Sequence, residues 1–514
     1  MIKYLFIFFL IISSLKAEDK IDFNTAKFKY ILETAEKHSA DSFDVEKVSD
    51  EAFQTLLKSI EPDSRYIGSK LFKKITEQDK GEKYSIGISL FNVNDTLVII
   101  KSRNRDLYVG DKVIFIDGNK FTGKNTAQAQ KALSGELGES VDLIIKRTKG
   151  NELVEIKTKR EKYPVKSIKA SYMLSNSKVG YIKLDRFSVK TSDEIRKELE
   201  ILSENDLTHL ILDLRNNTGG RLNQVVETAS LFLPDSSLIT YTEGRNEEYK
   251  KKFYSKGAPL YPELPLIIMT DSTSRSGSEM LAAAMQEYDR ALLVGSQTYG
   301  KGSAQKAFYL KDSTAFRLTV AYYHTPLGRK IDKENFNKKG QEIAGLGKNY
   351  SKLRKQIKKL GNRGKMNYVF TPSGRILFET PGLLPDVKAY GDTLTKLTRV
   401  MLSNGTFMEY ALNYYKNHKN MKEKYNNFKQ YTSKFKLKDK MLRDFAKVSL
   451  NRNIWNKEMF EQDKRVIMNY IKASVAYLYW GEEAYHYQVL NLDKLLIKAI
   501  RALPEARELL NKSG

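Results

Sequence analysis

Apolar residues at helical spacing characterise the first part of the chain, residues 22–80. In each of two runs, apolar residues recur every three or four positions, which is typical of one buried face of an amphipathic helix. The second run ends before Pro62, because proline cannot continue a helix. These runs predict a small N-terminal helical region. The two apolar faces comprise Phe28, Ile31, Leu32 and Ala35, and Phe53, Leu56, Leu57 and Ile60.

Between residues 81 and 160 the pattern changes to short apolar runs separated by turns that contain Gly and Asp. Such runs are typical of strands. Strands are predicted at 85–90, 97–100 and 141–147, a turn, a strand and an Asp-Gly turn at 108–118, and a short helix at 126–133. Several short strands and one helix in so few residues indicate a compact module that folds independently.

An alternation of strands and helices follows in residues 165–390 and predicts an α/β core. Apolar strands are expected at 179–184, 210–215 and 266–270, and each is followed by a loop rich in Gly, Ser or Asn and then by a helix. Functional sites in open α/β sheets lie at the carboxyl ends of the strands, so these loops are the candidate site. The polar, basic residues 334–368 are predicted to form a loop or insertion.

Residues 391–514 are predicted to form an all-helical extension, with helices at 407–415, 441–450, 459–480 and 490–503. Tyrosines lie among lysines in this part, a combination that also binds single-stranded nucleic acid. The aromatic residues recur at helical spacing, however, which favours core packing and solvated lysines. Nucleic-acid binding is therefore not expected.

A secretory signal is predicted at residues 1–17. Lys3 precedes an apolar stretch that is too short to span a bilayer comfortably, and Ala17 is a small residue at the expected cleavage position. The mature protein is expected in the periplasm or outside the cell, and membrane association is expected only if the signal stays uncleaved. No other stretch has the length of a transmembrane helix.

Composition narrows the chemistry. The 514 residues suffice for two to four domains. The absence of Cys excludes disulfides, thiolate metal sites and a Cys nucleophile, and the five His lack metal-ligand spacing, so neither a metal nor another cofactor is implied. The net charge of +25 is spread along most of the chain without an Arg-rich arm, which favours solvated surfaces over a nucleic-acid or anionic lipid partner.

Residues 271–305 contain the most chemically suggestive stretch. Four serines stand at its beginning, and Lys301 follows between two glycines. A serine needs a base to become nucleophilic, and a lysine serves when burial lowers its pKa. Gln305 is placed to hold the lysine amine by a hydrogen bond, and the N–H groups of Gly277 and Gly220 are candidate oxyanion donors. By itself this pattern also fits a helix-capping serine and a surface lysine.

Residues 81–160 resemble a PDZ domain. The resemblance rests on the loop formed by Ser85, Ile86, Gly87 and Ile88, on glycine-containing turns at 109–111 and 116–118, and on 133–138. It implies that a peptide C-terminus adds as a strand to a sheet edge, with its carboxylate held by N–H groups of the Ser85–Ile88 loop. The small-residue helix expected before Gly110 is replaced by polar and basic residues at 102–108.

Six motifs follow one another in residues 179–387. They are Val-Gly-Tyr-Ile at 179–182, Asp-Leu-Arg-Asn-Asn-Thr-Gly-Gly at 213–220, Ser-Arg-Ser-Gly-Ser-Glu at 274–279, Thr-Tyr-Gly-Lys-Gly-Ser-Ala-Gln at 298–305, Gly-Arg-Lys-Ile at 328–331 and Gly-Leu-Leu-Pro-Asp-Val at 382–387. In these motifs and their order, residues 179–387 resemble the carboxyl-terminal processing (tail-specific) proteases of the S41 serine peptidase family. The N-terminal region and the PDZ-like module also fit the family order.

This resemblance implies an S41-type α/β protease core with an inserted β-rich PDZ domain, an N-terminal helical cap and a C-terminal all-helical extension. It also implies that Ser276 is the nucleophile, Lys301 the general base and Gln305 the residue that orients the base. The oxyanion hole would use Gly220 and Gly277. The extension is expected either to pack onto the protease core or to form a homodimer.

The expected function is that of a secreted or periplasmic endopeptidase that cleaves envelope proteins with accessible C-termini through an acyl-enzyme. Arg275 and Gly277 replace the small alanines that usually flank the nucleophile in the family, and neither replacement removes a catalytic atom. The alternative is a catalytically inactive, peptide-binding adaptor that kept the fold. An adaptor protein as a partner also stays open.

Overall fold

The computed structural model describes residues 17–69, 71–72, 82–148, 150–164, 166–174, 177–333 and 368–513. The predicted signal lies outside the described residues except for Ala17, and the predicted insertion at 334–368 lies outside them except for Tyr368. None of the described helices combines the length and apolarity that a membrane-spanning segment requires. The chain divides into two compact units, the described part of Met1–Lys73 with Gln305–Thr319, and Lys74–Ala304 with Val320–Gly514.

Two helices and a strand form the first part of the smaller unit, and both helices are confirmed where the apolar periodicity predicts them. The second begins where the Asp44 side chain accepts a hydrogen bond from the Lys47 N–H, 3.0 Å long, and it ends ahead of Pro62. The elements are α1 (Ala17–His38), α2 (Val45–Ile60) and β1 (Arg65–Ile67).

Residues 82–164 form a β-rich module with one helix, as the short apolar runs predict. Its main sheet has the order β3-β4-β5-β7-β8, with β3 and β8 at the edges. The elements are β2 (Glu82–Ser85), β3 (Ile88–Val93), β4 (Thr96–Ser102), β5 (Lys112–Ile116), β6 (Asn119–Lys120), α3 (Thr126–Ala132), β7 (Ser140–Lys146), β8 (Leu153–Lys159) and β9 (Glu161–Pro164). The predicted single strand at 85–90 is wrong, because Gly87, with φ of 77°, separates β2 from β3.

The α/β core that the sequence predicts is confirmed. A six-stranded sheet has the order β10-β11-β12-β15-β16-β21, in which β10 is antiparallel to β11 and the following neighbours are parallel. The elements are β10 (Ile168–Met173), β11 (Val179–Leu184), α4 (Thr191–Ser203), β12 (His209–Asp213), α5 (Leu222–Ser230), β13 (Leu238–Glu243), β14 (Lys251–Tyr254), β15 (Leu266–Thr270), α6 (Gly277–Glu287), β16 (Ala291–Gly295), β17 (Ser303–Tyr309), β18 (Ala315–His324), β19 (Tyr368–Phe370), β20 (Ile376–Phe378) and β21 (Val387–Lys388).

Strand β18 takes part in both units. In the smaller unit its first residues pair with β1, with Ala315 opposite Ile67. In the larger unit its last residues pair with β13, with His324 opposite Tyr241. One face of the six-stranded sheet is covered by α4, α5 and α6, whose apolar side chains form a continuous buried core with those of the strands.

The C-terminal extension is helical, as predicted. Its elements are α7 (Lys396–Ser403), α8 (Thr406–Asn417), α9 (Met421–Lys424), α10 (Phe428–Lys434), α11 (Asp439–Asn451), α12 (Lys457–Trp480), α13 (Glu482–Leu490), α14 (Lys494–Arg501) and α15 (Leu503–Ser513). The helix predicted at 490–503 is present as α14, with shorter bounds. Asp493 sets its start, because the Asp493 carboxylate caps α14 by accepting hydrogen bonds from the N–H groups of Leu495 and Leu496.

The last three helices cover the second face of the six-stranded sheet. Buried apolar residues of α13, α14 and α15 form one core with the strand residues on the side of the sheet opposite α4, α5 and α6, such as Ile211, Ile267 and Val294. Packing onto the protease core, one of the two arrangements left open by the sequence, is therefore present. The helices convert the sheet into the middle layer of a three-layer α/β/α arrangement.

Candidate active site

Two loops at the carboxyl edge of the parallel sheet form the framework of the site. The loop after β12 and the loop after β15 are neighbours because their strands are neighbours. Several hydrogen bonds join them. Asn217 accepts two of these through its carbonyl oxygen, from the Arg275 N–H at 3.1 Å and from the Ser278 hydroxyl at 3.0 Å, and the Ser274 hydroxyl donates to the Leu214 carbonyl oxygen at 2.9 Å.

Ser276 occupies the residue immediately before α6. Its φ of 57° and ψ of −119° place a residue with a side chain in a sparsely populated backbone region. A strained serine between a strand and a helix is the arrangement of a nucleophile elbow, in which the turn presents the hydroxyl at the sheet edge. Ser276 is half-buried, whereas Ser274 and Ser278, its neighbours in the motif, are fully buried and hydrogen-bonded to main chain. Of these three serines of the motif, Ser276 is the one that is not fully buried.

Three glycines lie against Ser276, including the two predicted to form the oxyanion hole. A Cβ added to Gly219 would lie 2.7 Å from the Gly277 nitrogen and 2.9 Å from the Ser276 Cβ. A Cβ on Gly277 would lie 3.4 Å from the Gly220 nitrogen. The structure therefore brings Gly220 and Gly277 together beside Ser276. The Gly277 N–H is the first of the helix and has no acceptor within it.

Phe187 fixes the position of Gly220. Its N–H donates to the Gly219 carbonyl oxygen at 3.0 Å, and its carbonyl oxygen accepts from the Arg221 N–H at 2.9 Å. Gly220 has φ of 147°, and a Cβ there would lie 2.1 Å from the Phe187 oxygen. The close approach requires glycine at this position.

Glu279 connects the serine loop to the lysine loop. Its side chain is fully buried, and its Oε2 accepts hydrogen bonds from the N–H groups of both Ser276, at 2.9 Å, and Lys301, at 2.8 Å. Its Oε1 accepts from the Gly300 N–H at 2.7 Å and from the Thr298 hydroxyl at 2.5 Å. Burial raises the pKa of Glu279, and these hydrogen bonds offset part of that rise. One carboxylate oxygen thus holds the main chains of the predicted nucleophile and the predicted base.

The two glycines that flank Lys301 lie so close to main-chain atoms of other segments that a side chain would not fit at either position. A Cβ on Gly300 would lie 1.7 Å from the Pro381 oxygen, and one on Gly302 would lie 2.0 Å from the Ile331 oxygen. The main chain on either side of Lys301 therefore lies against two other segments, and the Lys301 side chain is half-buried.

Gln305, predicted to orient the lysine, belongs to the smaller unit. There its side-chain amide donates a hydrogen bond to the Asp63 carbonyl oxygen at 2.7 Å. This bond ties the strand β17 to the turn that follows α2. The role of Gln305 toward Lys301 stays a prediction.

Arg275, the unusual neighbour of Ser276, lies over an aromatic ring. Its guanidinium carbon is 5.7 Å from the centre of the Tyr299 ring, and the Lys333 ammonium is 4.8 Å from the same ring. The Tyr299 N–H donates to the Ser274 carbonyl oxygen at 3.0 Å. Arg275 therefore adds a side-chain contact between the serine loop and the loop that leads to Lys301.

A buried charge cluster lies under the loop that carries Gly220. Asp213 accepts hydrogen bonds from Tyr181 at 2.6 Å, Lys183 at 3.1 Å and Arg215 at 2.6 Å. Burial acts to raise the pKa of Asp213, but Arg215 and Lys183 outweigh it and hold that pKa well below its usual range. Burial lowers the pKa of Lys183, with Asp213 opposing. Arg215 also pairs with Asp493 of the C-terminal extension at 2.7 Å.

The sequence did not assign roles to Glu279, Lys183 or Asp493. For Glu279 a signal exists, because a glutamate three residues after a serine that precedes an apolar helix is a capping box. For the ion pair of Asp493 with Arg215 the sequence holds no local signal, since the two residues are 278 positions apart in the chain. Among the residues that the structure describes, no group of three or more His, Asp or Glu could hold a metal ion.

The four PDZ-like candidates run from the last residue of β2, Ser85, to the first residue of β3, Ile88. The Ile86 N–H donates to the Leu133 carbonyl oxygen at 3.3 Å, and the Gly87 N–H lies 3.3 Å from the Ser85 hydroxyl oxygen. The Ile86 and Ile88 side chains are buried in the module. Peptide binding by this loop stays a prediction.

Comparisons with known proteins show what this chain is similar to. Peptidase family S41 matches residues 178–339, and a family of unknown function, DUF8443, matches residues 397–481. The carboxyl-terminal-processing protease of Picosynechococcus sp. is 31% identical over 301 residues, which are 56% of this chain and 72% of the relative. The carboxy-terminal-processing protease of Bartonella bacilliformis is 29% identical over 316 residues, 60% of this chain and 72% of the relative. A solved photosystem II D1 C-terminal processing protease aligns with 59% of this chain and 83% of its own, at 20% identity and a TM-score of 0.35.

Proposed function

From the fact that this chain belongs to peptidase family S41, the carboxyl-terminal-processing serine peptidases, we propose that Ser276 is its nucleophile and Lys301 its general base. The observation that carries the proposal is the shared Glu279 Oε2, which accepts from the N–H groups of both residues. Two residues 25 positions apart in the chain are thereby held side by side. Gln305 is proposed to orient Lys301.

The reaction begins when the neutral Lys301 amine takes the Ser276 hydroxyl proton as the Oγ attacks the scissile carbonyl carbon. The negative charge that develops on the carbonyl oxygen is stabilised by the N–H groups of Gly220 and Gly277. Lys301 then returns the proton to the leaving amine, and an acyl-enzyme remains. Water, deprotonated by Lys301, attacks the ester carbonyl. The bond to the Ser276 Oγ breaks, Lys301 returns the proton to that oxygen, and the new C-terminus leaves.

The substrates are proposed to be envelope proteins with accessible C-termini, and the module of residues 81–160 is proposed to recognise or gate these C-termini. The envelope location rests on the predicted signal at residues 1–17. Binding of an extended peptide at a sheet edge matches the β-rich architecture of the module.

The test compares Ser276→Ala with wild type on an unfolded protein that carries a free apolar C-terminus. Loss of the nucleophile is expected to lower kcat about 10³-fold or more, because only binding and oxyanion stabilisation remain. Ser272→Ala is the matched control, since Ser272 is an exposed serine in the same loop. Equal cleavage by Ser276→Ala and wild type would overturn the assignment of the nucleophile.

The base is tested separately with Lys301→Ala, and the exposed Lys311→Ala serves as its control. Activity is expected to disappear in the first variant and persist in the second. Retained cleavage by Lys301→Ala would require another base. An inactive adaptor, by contrast, predicts that wild type itself binds the protein without cleaving it.

A further inference from the structure

Two positively charged side chains lie against one aromatic ring beside the candidate nucleophile. The Arg275 guanidinium carbon is 5.7 Å from the centre of the Tyr299 ring, and the Lys333 ammonium nitrogen is 4.8 Å from it. Tyr299 is 39% exposed, Lys333 is exposed and Arg275 is half-buried. Since Arg275 directly precedes Ser276 in the chain, this basic surface borders the place where a scissile bond would lie.

Main-chain hydrogen bonds fix the ring and Lys333 next to the proposed base. The Tyr299 N–H donates to the Ser274 carbonyl oxygen at 3.0 Å, and the Lys333 N–H donates to the Gly300 carbonyl oxygen at 2.9 Å. Gly300 is the residue before Lys301. The segment that carries Lys333 is therefore bonded directly to the loop that carries the base, and the ring is bonded to the serine loop.

The carboxylates near these two cations in the chain have other partners. Asp271 accepts hydrogen bonds from main-chain N–H groups of the serine loop at 3.0 Å. Glu279 is buried and accepts from four donors. Asp332 pairs with Lys330 at 3.1 Å. Within the described ranges, neither cation forms an ion pair with a carboxylate.

An arrangement of this kind favours an anion. Like charges that share one ring repel each other, and an anion between them removes that cost. A guanidinium offers two parallel N–H donors that match the two oxygens of a carboxylate, and an ammonium adds a point charge from another direction. The aromatic ring limits the freedom of both cations, so less side-chain entropy is lost when the anion binds.

We propose that Arg275, Lys333 and the ring of Tyr299 form a subsite for a carboxylate of the substrate close to the scissile bond. This inference rests on the proposed function, in which Ser276 attacks the substrate, and deepens it by assigning a substrate class. The carboxylate belongs either to an Asp or Glu side chain or to the C-terminus of the substrate. Both sources share the chemistry that the subsite recognises, and the experiment separates them.

Binding is measured by isothermal titration calorimetry on the full chain carrying Ser276→Ala, so that no peptide is cleaved. The peptides consist of Ala and Ser around a central Gln or Glu and end in an amide, and a further Gln peptide ends in a free carboxylate. The uniform flanking residues allow each peptide the register that places its carboxylate at the subsite. At low ionic strength a carboxylate peptide is expected to bind about fivefold to tenfold more tightly than the amidated Gln peptide. The preference should shrink as salt is added.

Substitutions of the two cations locate the preference. Arg275→Gln and Lys333→Gln are each expected to reduce it to about twofold or less, because one of two charges is lost. Arg196→Gln and Lys197→Gln are the matched controls, since both are exposed residues of α4 and each removes the same charge. They are expected to keep the full preference. Arg275→Lys retains the charge without the paired donors and should keep part of it.

Equal Kd values for all peptides, or no binding of any of them, would overturn the subsite. A preference that persists in both Arg275→Gln and Lys333→Gln would also overturn it, as would an equal loss in the two α4 controls. If Arg275→Gln does not fold, Lys333→Gln decides alone, because its side chain is exposed. Cleavage of an unfolded protein by the chain with intact Ser276 is measured separately, so failure of the subsite leaves the assignment of the nucleophile standing.

Discussion

At the scale of single residues, the carboxylate of Glu279 is the feature on which the candidate site depends. It accepts four hydrogen bonds, two of them from the main chains of Ser276 and Lys301. In Glu279→Gln an NH₂ group replaces one oxygen and faces two donors. We expect kcat to fall about 10²-fold with little change in KM, because small displacements of reacting groups have effects of that size. Steady-state kinetics beside Glu200→Gln, an exposed control, would test this; an unchanged kcat would contradict it.

The titration of Glu279 is also predicted to make the free energy of unfolding depend on pH. Burial raises its pKa above the ordinary value of 4.5, so the native protein binds this proton more tightly than the unfolded chain. The contribution to the free energy of unfolding is full below about pH 4.5 and is lost as the pH rises through the raised pKa. The difference in free energy of unfolding between wild type and Glu279→Gln, measured in urea, should therefore fall over this window and then level off. A difference that rises with pH there would contradict the assignment.

The sequence could nominate Ser276, Lys301, Gly220 and Gly277 because each belongs to a short motif that is local in the chain. It could not supply the contact of Arg275 with Tyr299, because that contact depends on how two loops meet in space. The capping-box pattern would have pointed to Glu279 as a helix cap. The hydrogen bond that Glu279 accepts from the Lys301 N–H, however, depends on the packing of β16 and the loop after it.

At the scale of elements, the loop between β12 and α5 is positioned by one close approach, that of Gly220 to Phe187. The Cβ of Gly220→Ala would lie 2.1 Å from the Phe187 oxygen, so the Gly220 N–H has to move. We expect kcat to fall about 10²-fold, the cost of one misplaced oxyanion donor. Gly257→Ala is the control, since Gly257 has φ of 75° but open space around its Cβ position. It should cost about 1 kcal/mol of stability and leave kcat unchanged. Similar kcat values for the two variants would exclude Gly220 from the oxyanion hole.

The order and type of most elements could be predicted because apolar periodicity is a local property. The errors fall where a single residue overrides the periodicity. Gly87 splits a predicted strand through its positive φ, and Asp493 sets the start of α14 later than the predicted residue 490 by capping it. In both places the apolar pattern continues across the residue, so the pattern alone could not reveal the boundary.

At the scale of the whole larger unit, the C-terminal helices are part of the protease core. Leu496 of α14 is 3% exposed and packs in the cluster that covers the sheet, whereas its neighbour Ile497 is 39% exposed. Leu496→Ala should lower the free energy of unfolding by about 2–5 kcal/mol, and Ile497→Ala by clearly less. Urea unfolding of both variants is the measurement. Equal losses would mean that α14 does not stabilise the sheet. The sequence predicted these helices, but the sheet face that they bury depends on contacts between distant parts of the chain.

The ion pair between Arg215 and Asp493 has a consequence for the time at which the enzyme becomes competent. Ribosomes make Arg215 long before Asp493, so the charge cluster under the Gly220 loop stays incomplete while the chain is being synthesised. A nascent chain whose residues 482–513 remain in the exit tunnel is therefore expected to be inert, and to gain activity after release. Such a protease would have no activity during its own translation. The measurement is cleavage of a fluorogenic peptide by stalled and by released chains made by in vitro translation.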